Sequence, residues 1–236
     1  MIIEQLNFCS GTSLDFMLKE SAMKRYVLIG VAAIFLAGVA ILLNGPLVAP
    51  PDGKILTAAE KSNCGKTAEV TEGPYYVSGT SEFKDGNVNA TNLAGVPIMI
   101  SGHVYEGLDN TNPVANAKIE IWHTDATGNY HPNGNGPSTN YQPEDIALRG
   151  FVKTDAIGAY KFITIYPGEY TGRTRHIHIK VTPTGKPTLT TQLILAKIGD
   201  KISFDDDTIS KGLPTCHLLK FDKTTKPQSA SFDFRL

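Results

Sequence analysis

The His-x-His sequence at residues 176–178 is the part of the chain whose residue types and spacing most directly predict chemistry. Alternate side chains of a β-strand point to the same face, so the imidazoles of His176 and His178 would project together, with Cα atoms about 6.6 Å apart. Two imidazoles at this spacing can ligate one metal ion. The same pattern also occurs in zinc sites and on ordinary sheet surfaces, so a second kind of ligand is needed to decide between these readings.

Two tyrosines supply that second kind of ligand. Tyr130 and Tyr170 each follow a glycine-containing turn near the end of a predicted strand. Phenolate oxygens are anionic donors, and together with two neutral imidazoles they stabilise iron(III) over iron(II). A zinc hydrolase that used only His176 and His178 would have no need of the two tyrosines.

The elements that would position these residues are short β-strands separated by turns. Stretches that favour β-structure lie at residues 98–105, 118–123, 151–154, 160–165, 176–181, 191–195 and 232–236. Turn pairs such as Asn133-Gly134 lie between them, and the sequence has no long amphipathic helical pattern. We therefore predict an all-β fold, an antiparallel β-sandwich core with long functional loops, one of them at residues 129–145.

Four ordered segments resemble the intradiol ring-cleavage dioxygenases, the family of the catechol and protocatechuate dioxygenases. They are IEIWHTDATGNY from Ile119, GFVKTDAIGAYKFITIYPGEY from Gly150, RTRHIH from Arg173, and TQL from Thr191. Each segment alone is weakly specific, but their ordered combination is highly specific. The resemblance begins at TEGPYY, residues 71–76, which is similar to the segment that lines the substrate pocket in that family.

The resemblance implies an iron(III) cofactor and a role for each matched residue. The implied metal ligands are Tyr130, Tyr170, His176 and His178; the implied catalytic residues are Arg173, Gln192 and Tyr170; the implied substrate-contacting residues are Gly73, Pro74, Tyr75 and Trp122. The implied reaction opens a catechol-type ring between its two hydroxyl-bearing carbons with O2, to a muconate-type dicarboxylic acid. The alternative is a noncatalytic exported β-sandwich of the transthyretin or carboxypeptidase-regulatory type, which residues 101–130 also resemble.

One departure from the family pattern concerns substrate choice. Only Thr171 and Gly172 separate Tyr170 from Arg173, whereas protocatechuate enzymes carry a longer loop with aromatic pocket residues. We therefore expect unsubstituted or alkylated catechols to be preferred over substrates that need a ring carboxylate.

The first quarter of the chain predicts a membrane attachment. Residues 26–43 are uncharged and mostly apolar, would span roughly 27 Å as a helix, and follow Lys24 and Arg25. We predict a cytoplasmic tail at 1–25, a signal-anchor helix at 26–44, a linker at 45–61, and a catalytic domain at 62–236 outside the cytoplasmic membrane. A cleaved secretory signal is the close alternative, and Met23 is an alternative start.

The cysteines and charges complete the sequence-based expectations. Cys64 and Cys216 both lie beyond the apolar run, where disulfides persist, so we predict that they pair, whereas Cys9 lies before it. Arg175 and the acidic run at residues 205–207 are predicted to be solvated. The formal net charge of -1 argues against nucleic-acid binding. The expected partners are a small catechol, O2 and the membrane through the N-terminal helix, and a homo-oligomer is an alternative to a monomer.

Overall fold

The computed structural model describes residues 65–170, 172–195, 197 and 200–236, all within one compact unit. The described residues form an all-β fold, as predicted, with 3-10 helices of three residues each as their helical elements. The strands are β1 (Val77–Ser78), β2 (Pro97–Tyr105), β3 (Lys118–Trp122), β4 (Gly136–Pro137), β5 (Arg149–Lys153), β6 (Ala159–Ile165), β7 (His176–Thr182), β8 (Leu189–Ile194), β9 (Gln228–Ser231) and β10 (Phe234–Arg235). The 3-10 helices are Ser138–Asn140, Pro143–Asp145, Ser210–Gly212 and Thr215–His217.

The strands are arranged in two larger sheets and one small one. One four-stranded sheet has the order β5-β3-β7-β8, and every pair in it is antiparallel. The second has the order β10-β2-β6, with β9 also paired with β2, while β1 pairs with β4. The predicted antiparallel pairing holds for β5-β3-β7-β8 and for β2 with β6, but β9 and β10 run parallel to β2 and β1 runs parallel to β4. The chain returns to β2 through a long C-terminal connection, and a connection of that kind permits parallel pairing.

A single hydrophobic core is shared by the two four-stranded sheets. It contains Ile98, Ile100 and Phe162 from β2 and β6, and Ile119, Ile121, Ile177, Ile179 and Val181 from β3 and β7. Each fully buried aliphatic side chain stabilises the fold by roughly 1.5–3 kcal/mol. Because side chains alternate along β7, the core position of Ile177 forces His176 and His178 to the other face of the sheet.

The predicted N-terminal elements cannot be compared with this fold. Residues 1–64, which include the predicted tail, anchor and linker, lie outside the described residues. Within the part of the chain that is described, no helix is long and apolar enough to cross a bilayer.

The predicted disulfide can be tested chemically. Cys216 is disulfide-bonded, and Cys64 lies outside the described residues, so its pairing with Cys216 stays a prediction. We expect that neither cysteine reacts with a thiol reagent in unfolded, unreduced protein taken directly from its compartment, as read by peptide mass spectrometry. Closing a loop of about 150 residues would stabilise the fold by roughly 4–5 kcal/mol in the chain-entropy model. Labelling of both thiols would contradict the pairing.

Candidate active site

The face of β7 that points away from the shared core carries the predicted site. The strand register places Trp122 of β3, His178 of β7 and Gln192 of β8 in one row across the sheet. His176 lies on the same face, two residues before His178. The segment at residues 71–76 covers this face, since the backbone carbonyl of Thr71 accepts a hydrogen bond from Gln192 Nε2 at 3.3 Å. The site is thus built between the sheet and a covering segment.

The two imidazoles are buried, neutral and aimed at each other. Their Nε2 atoms are 3.2 Å apart, and both rings are almost completely buried. Burial, with the positive charge of Arg173 as the second cause, lowers the pKa of His176 to about 4. Burial and the neighbouring His176 lower the pKa of His178 well below its usual value. His176 Nδ1 lies 2.6 Å from the carbonyl oxygen of Thr174, which places the proton on Nδ1 and leaves the Nε2 lone pair free for a ligand.

Both predicted tyrosine ligands lie beside these imidazoles. The Tyr130 hydroxyl is 3.4 Å from His176 Nε2, and the Tyr170 ring lies 5.8 Å from the Tyr130 ring and 6.1 Å from the His176 ring, between centroids. Tyr130 is buried, while Tyr170 is only half-buried. Burial raises the pKa of each phenol, and the charge of Arg173 acts in the opposite direction on both. The donor atoms of Tyr130, His176 and His178 therefore lie together, with the Tyr170 ring beside them.

A local turn positions Tyr130 beside these imidazoles. The Asp125 carboxylate accepts hydrogen bonds from the backbone N–H groups of Thr127 and Asn129, at 2.8 and 3.0 Å, and so closes the turn before Tyr130. Gly128 within that turn has a φ of +95° and packs against the backbone of Glu169, where an added Cβ would lie 2.1 Å from a carbonyl oxygen. The loops that carry Tyr130 and Tyr170 are therefore in direct backbone contact.

A buried cation that sequence reasoning did not single out lies against Tyr130. The guanidinium of Arg149 is 5.3 Å from the centre of the Tyr130 ring and donates to the carbonyls of Tyr75, His131 and Pro132. Among the described residues Arg149 has no carboxylate partner, and burial lowers its pKa only to about 10, so it stays charged at neutral pH. A buried, unpaired cation is costly unless a negative charge is nearby. An anionic phenolate at Tyr130 would supply that charge.

The donor set fits a metal ion with a preference for anionic oxygen. Two ligand atoms that each lie roughly 2.1 Å from one ion, at about a right angle, are separated by about 3 Å, which matches the imidazole nitrogens. His178 presents Nε2 toward His176, while its buried Nδ1 has no hydrogen-bond partner among the described residues. Two neutral nitrogens, two phenol oxygens and an unpaired arginine together fit iron(III).

The predicted catalytic arginine and glutamine contact each other. Arg173 Nη2 donates to Gln192 Oε1 at 2.8 Å, and Arg173 Nε donates to both carboxylate oxygens of Asp207, at 3.0 and 2.8 Å. Arg173 follows Tyr170 closely, since its backbone N–H donates to the Tyr170 carbonyl at 2.9 Å. A positive charge is therefore held beside the four predicted ligands.

The predicted substrate-contacting residues occupy different positions. Tyr75 stacks on Tyr130, with ring centroids 4.5 Å apart, and Pro74 is exposed. Gly73 packs against His178, and Trp122 stacks flat on the same imidazole at 4.8 Å. Trp122 is only 2% exposed, and it stacks on His178, a predicted metal ligand. Gly73, Pro74 and Tyr75 retain exposed surface, whereas Trp122 is buried.

Gly73→Ala provides a test of the contact with His178. An added Cβ would lie 3.2 Å from His178 Cε1, at a backbone φ of +74°. We expect a stability loss of about 1–2 kcal/mol from the backbone conformation, together with weaker metal binding because His178 must move. The measurements are the melting temperature and the bound metal per chain. Gly185→Ala is a matched control, since Gly185 has a φ of +70° with nothing within 4 Å, and it should lose stability without losing metal.

The expectation that surface charges are solvated was wrong for Asp207 and Arg175, while Asp205 and Asp206 are exposed as predicted. Asp207 is fully buried, because it accepts hydrogen bonds from the backbone of Thr174, Ile209 and Ser210 as well as from Arg173. Arg175 is mostly buried and pairs with Asp200 at 2.8 Å. The oppositely charged partner of Asp207 lies 34 residues away along the chain and that of Arg175 lies 25 residues away, so no local charge pattern marks these two residues as buried.

Comparison with known proteins assigns the chain to a family. The model of a dioxygenase family, described as "Dioxygenase", matches residues 71–236. Catechol 1,2-dioxygenase 1 of Acinetobacter lwoffii is 34% identical over 176 residues, which are 64% of this chain and 53% of that protein. Hydroxyquinol 1,2-dioxygenase of Nocardioides simplex is 29% identical over 164 residues, 61% of this chain and 52% of that protein. The chain thus spans about half the length of these curated relatives.

Solved structures of dioxygenases also align with most of this chain. The dioxygenase domain of a dioxygenase and carbohydrate-binding protein fusion from Streptomyces sp. SirexAA-E is 30% identical, with 72% of this chain and 97% of that chain aligned and a TM-score of 0.58. An intradiol ring-cleavage dioxygenase from Tetranychus urticae shares the fold at 21% identity and a TM-score of 0.61, with 73% of this chain and 94% of that chain aligned. The family match covers most of the chain, and the protein therefore belongs to the intradiol ring-cleavage dioxygenases.

Proposed function

We propose that the protein is a non-haem iron(III) dioxygenase that opens a catechol-type ring between its two hydroxyl-bearing carbons and adds both atoms of O2, to give a muconate-type dicarboxylic acid. The observation that carries this proposal is the convergence of His176, His178 and Tyr130, with their donor atoms 3.2 to 3.4 Å apart, beside Tyr170. Family membership supports the same reaction class.

The cofactor would be held by Tyr130, Tyr170, His176 and His178. When bound, iron(III) would hold a deprotonated catechol and withdraw electron density from its ring, which prepares a ring carbon for O2. The residues around it have separate tasks. Thr174 and Trp122 orient the two imidazoles, through the hydrogen bond to His176 Nδ1 and the stacking on His178. Arg149 offsets the negative charge of a Tyr130 phenolate.

Two residues are placed to act on the substrate itself. Tyr170 is the half-buried member of the tyrosine pair, so it is the phenol oxygen that we assign as the base taking a proton from a catechol hydroxyl. Arg173 is fixed beside the ligands by Asp207 and Gln192, and its charge would stabilise negative charge that develops during ring opening.

We propose a catechol without a required ring carboxylate as the substrate. The connection from Tyr170 to Arg173 is only two residues long and brings no aromatic wall to the pocket. Tyr75, stacked on Tyr130 and edge-on to Tyr170 with ring centroids 5.7 Å apart, supplies an aromatic surface instead. An apolar aromatic surface favours unsubstituted or alkylated rings.

A panel of catechols tests the function. Iron-loaded protein should consume O2 with a simple catechol and give a ring-opened dicarboxylic acid that contains both oxygen atoms, as read by an oxygen electrode and product mass spectrometry. The protein should be coloured by tyrosinate-to-iron charge transfer, and Tyr170→Phe should shift that band. Aldehyde-bearing products would show cleavage outside the diol. No oxygen uptake across the panel would favour the noncatalytic sandwich, whereas stoichiometric zinc in colourless protein after iron-replete expression would contradict the iron(III) assignment.

We further propose that the catalytic domain lies outside the cytoplasmic membrane. The support is the basic pair Lys24-Arg25 before the apolar residues 26–43. Protease added to spheroplasts of expressing cells should digest the domain, while a cytoplasmic marker protein stays intact. Full protection of the domain, with the protein recovered in the cytosolic fraction, would contradict this placement.

A further inference from the structure

Asp207 is the most heavily hydrogen-bonded buried carboxylate near the predicted site. It is 0% exposed and lies just before the 3-10 helix Ser210–Gly212. Its Oδ1 accepts from the backbone N–H groups of Ile209 and Ser210, at 2.8 and 3.1 Å, and its Oδ2 accepts from the backbone N–H of Thr174 at 2.8 Å. These bonds connect the loop before Ser210 to the segment that leads into β7.

Both oxygens of the same carboxylate also accept from Arg173 Nε. This contact uses the Nε–H of the guanidinium and leaves Nη2 to donate to Gln192 Oε1 at 2.8 Å. Gln192 is held in turn by the carbonyl of Thr71. The guanidinium is therefore fixed from two sides, by a buried anion and by a side chain on β8.

The carboxylate is anionic in this environment. The backbone N–H groups of Ile209 and Thr174 and the guanidinium of Arg173 outweigh the effect of burial and hold its pKa below the usual value. A long, flexible arginine that acts as a charge stabiliser loses effect when its position varies, because electrostatic stabilisation depends on a preorganised charge. An anion that cannot itself move is suited to prevent this variation.

We propose that Asp207 is a positioning residue of the active site, which fixes the Arg173 guanidinium and, through it, the Gln192 amide. The proposal rests on the proposed function, in which Arg173 stabilises developing charge. The competing explanation is that Asp207 only closes its own loop, with the contact to Arg173 as a by-product.

Asp207→Asn tests the proposal. Each carboxylate oxygen accepts hydrogen bonds from at least two N–H groups. In either orientation of the asparagine amide, the new NH2 group would therefore face N–H donors. The Arg173 side chain can move away from this conflict, because the other donors are backbone N–H groups. We expect kcat per bound iron to fall on the order of ten- to a hundredfold. KM, iron content and the visible band should change little. Asp205→Asn is the matched control, since Asp205 is an exposed carboxylate two residues away.

A double-mutant cycle separates positioning from loop closure. If Asp207 acts through Arg173, Asp207→Asn should have almost no further effect on kcat per iron in an Arg173→Ala background. Independent, multiplicative effects of the two changes would overturn the proposal. So would a single variant that loses stability while its turnover per iron stays unchanged. If Asp207→Asn gives no soluble protein, Asp207→Ser is measured instead, because its hydroxyl can accept from the loop N–H groups without reaching Arg173.

Crystal structures of wild type and Asp207→Asn, both iron-loaded, provide a readout that does not depend on activity. The expected result is a displaced or disordered Arg173 guanidinium with the four predicted metal ligands unmoved. An Arg173 that keeps its wild-type position in the variant would overturn the proposal even if turnover per iron has fallen. If the wild type itself cleaves no catechol but Arg173 moves in the variant, the proposed function fails and the positioning contact stands.

Discussion

His178→Ala is expected to abolish stoichiometric metal binding and catechol cleavage together. The imidazole supplies one of two nitrogen atoms, and its Nε2 lies 3.2 Å from that of His176, so its loss removes half of the neutral donors. A metal that binds the folded chain at about a thousand times its dissociation constant stabilises the fold by about 4 kcal/mol. The variant should lose this contribution, and its melting temperature should no longer respond to a chelator. The measurements are bound iron per chain, the visible band, and thermal unfolding with and without chelator.

The packing role of His178 needs a separate control. The ring is stacked on Trp122, so truncation also leaves a cavity, and His178→Gln retains more of the lost volume. Both variants should lack iron, and His178→Gln should have the larger free energy of unfolding of the two. His103→Ala, which removes a partly exposed imidazole next to Asp233, should keep iron and activity. Full iron content in both His178 variants would contradict the assignment of this residue as a ligand.

Arg173→Ala is expected to retain iron and colour while kcat per bound iron falls about a hundredfold. A preorganised charge that stabilises a transition state typically contributes on the order of 3 kcal/mol, which is about two decades in rate. Arg173 makes its side-chain contacts with Asp207 and Gln192, so its loss leaves the four predicted metal ligands in place. Substrate binding should suffer less than turnover. Steady-state kinetics normalised to iron, with anaerobic catechol titration of the visible band, measure the two effects separately.

A purely structural role for Arg173 has a different signature. Removal of the guanidinium leaves the buried Asp207 without its cationic partner, which is costly in itself. If that cost were the whole effect, folded yield and iron content would fall in proportion to activity, and turnover per iron would equal that of the wild type. Arg235→Ala, which removes a guanidinium bonded to Asn110, should change neither quantity.

The sequence by itself was sufficient to predict seven of the ten described strands and the sheet face that carries the two predicted histidine ligands, while β1, β4 and β9 were not predicted. The predicted stretches at 98–105, 118–123, 160–165 and 176–181 agree with the observed strands to within one residue at each end. The reason is local, because alternation of apolar and polar residues depends only on neighbouring positions. Along β7, Ile177 and Ile179 had to face the core, so His176 and His178 had to share the other face. Spacing also predicted that Tyr130 and Tyr170 follow turns near strand ends.

The family resemblance had already assigned Arg173 to the site, but only the tertiary structure showed that Arg149 and Asp207 are buried beside it. Arg149, Arg173 and Asp207 are all largely buried. The three carbonyls that bind the Arg149 guanidinium lie 17 to 74 residues away along the chain, and Asp207, which binds the Arg173 guanidinium, lies 34 residues away. Burial of a charge depends on whether distant chain segments bring compensating groups to it. Three adjacent aspartates therefore look alike in the sequence, yet Asp207 alone among them meets Arg173 and the N–H groups of its own loop. The parallel pairing of β9 and β10 with β2 has the same origin, since the direction of a returning strand is decided by the path of the whole chain.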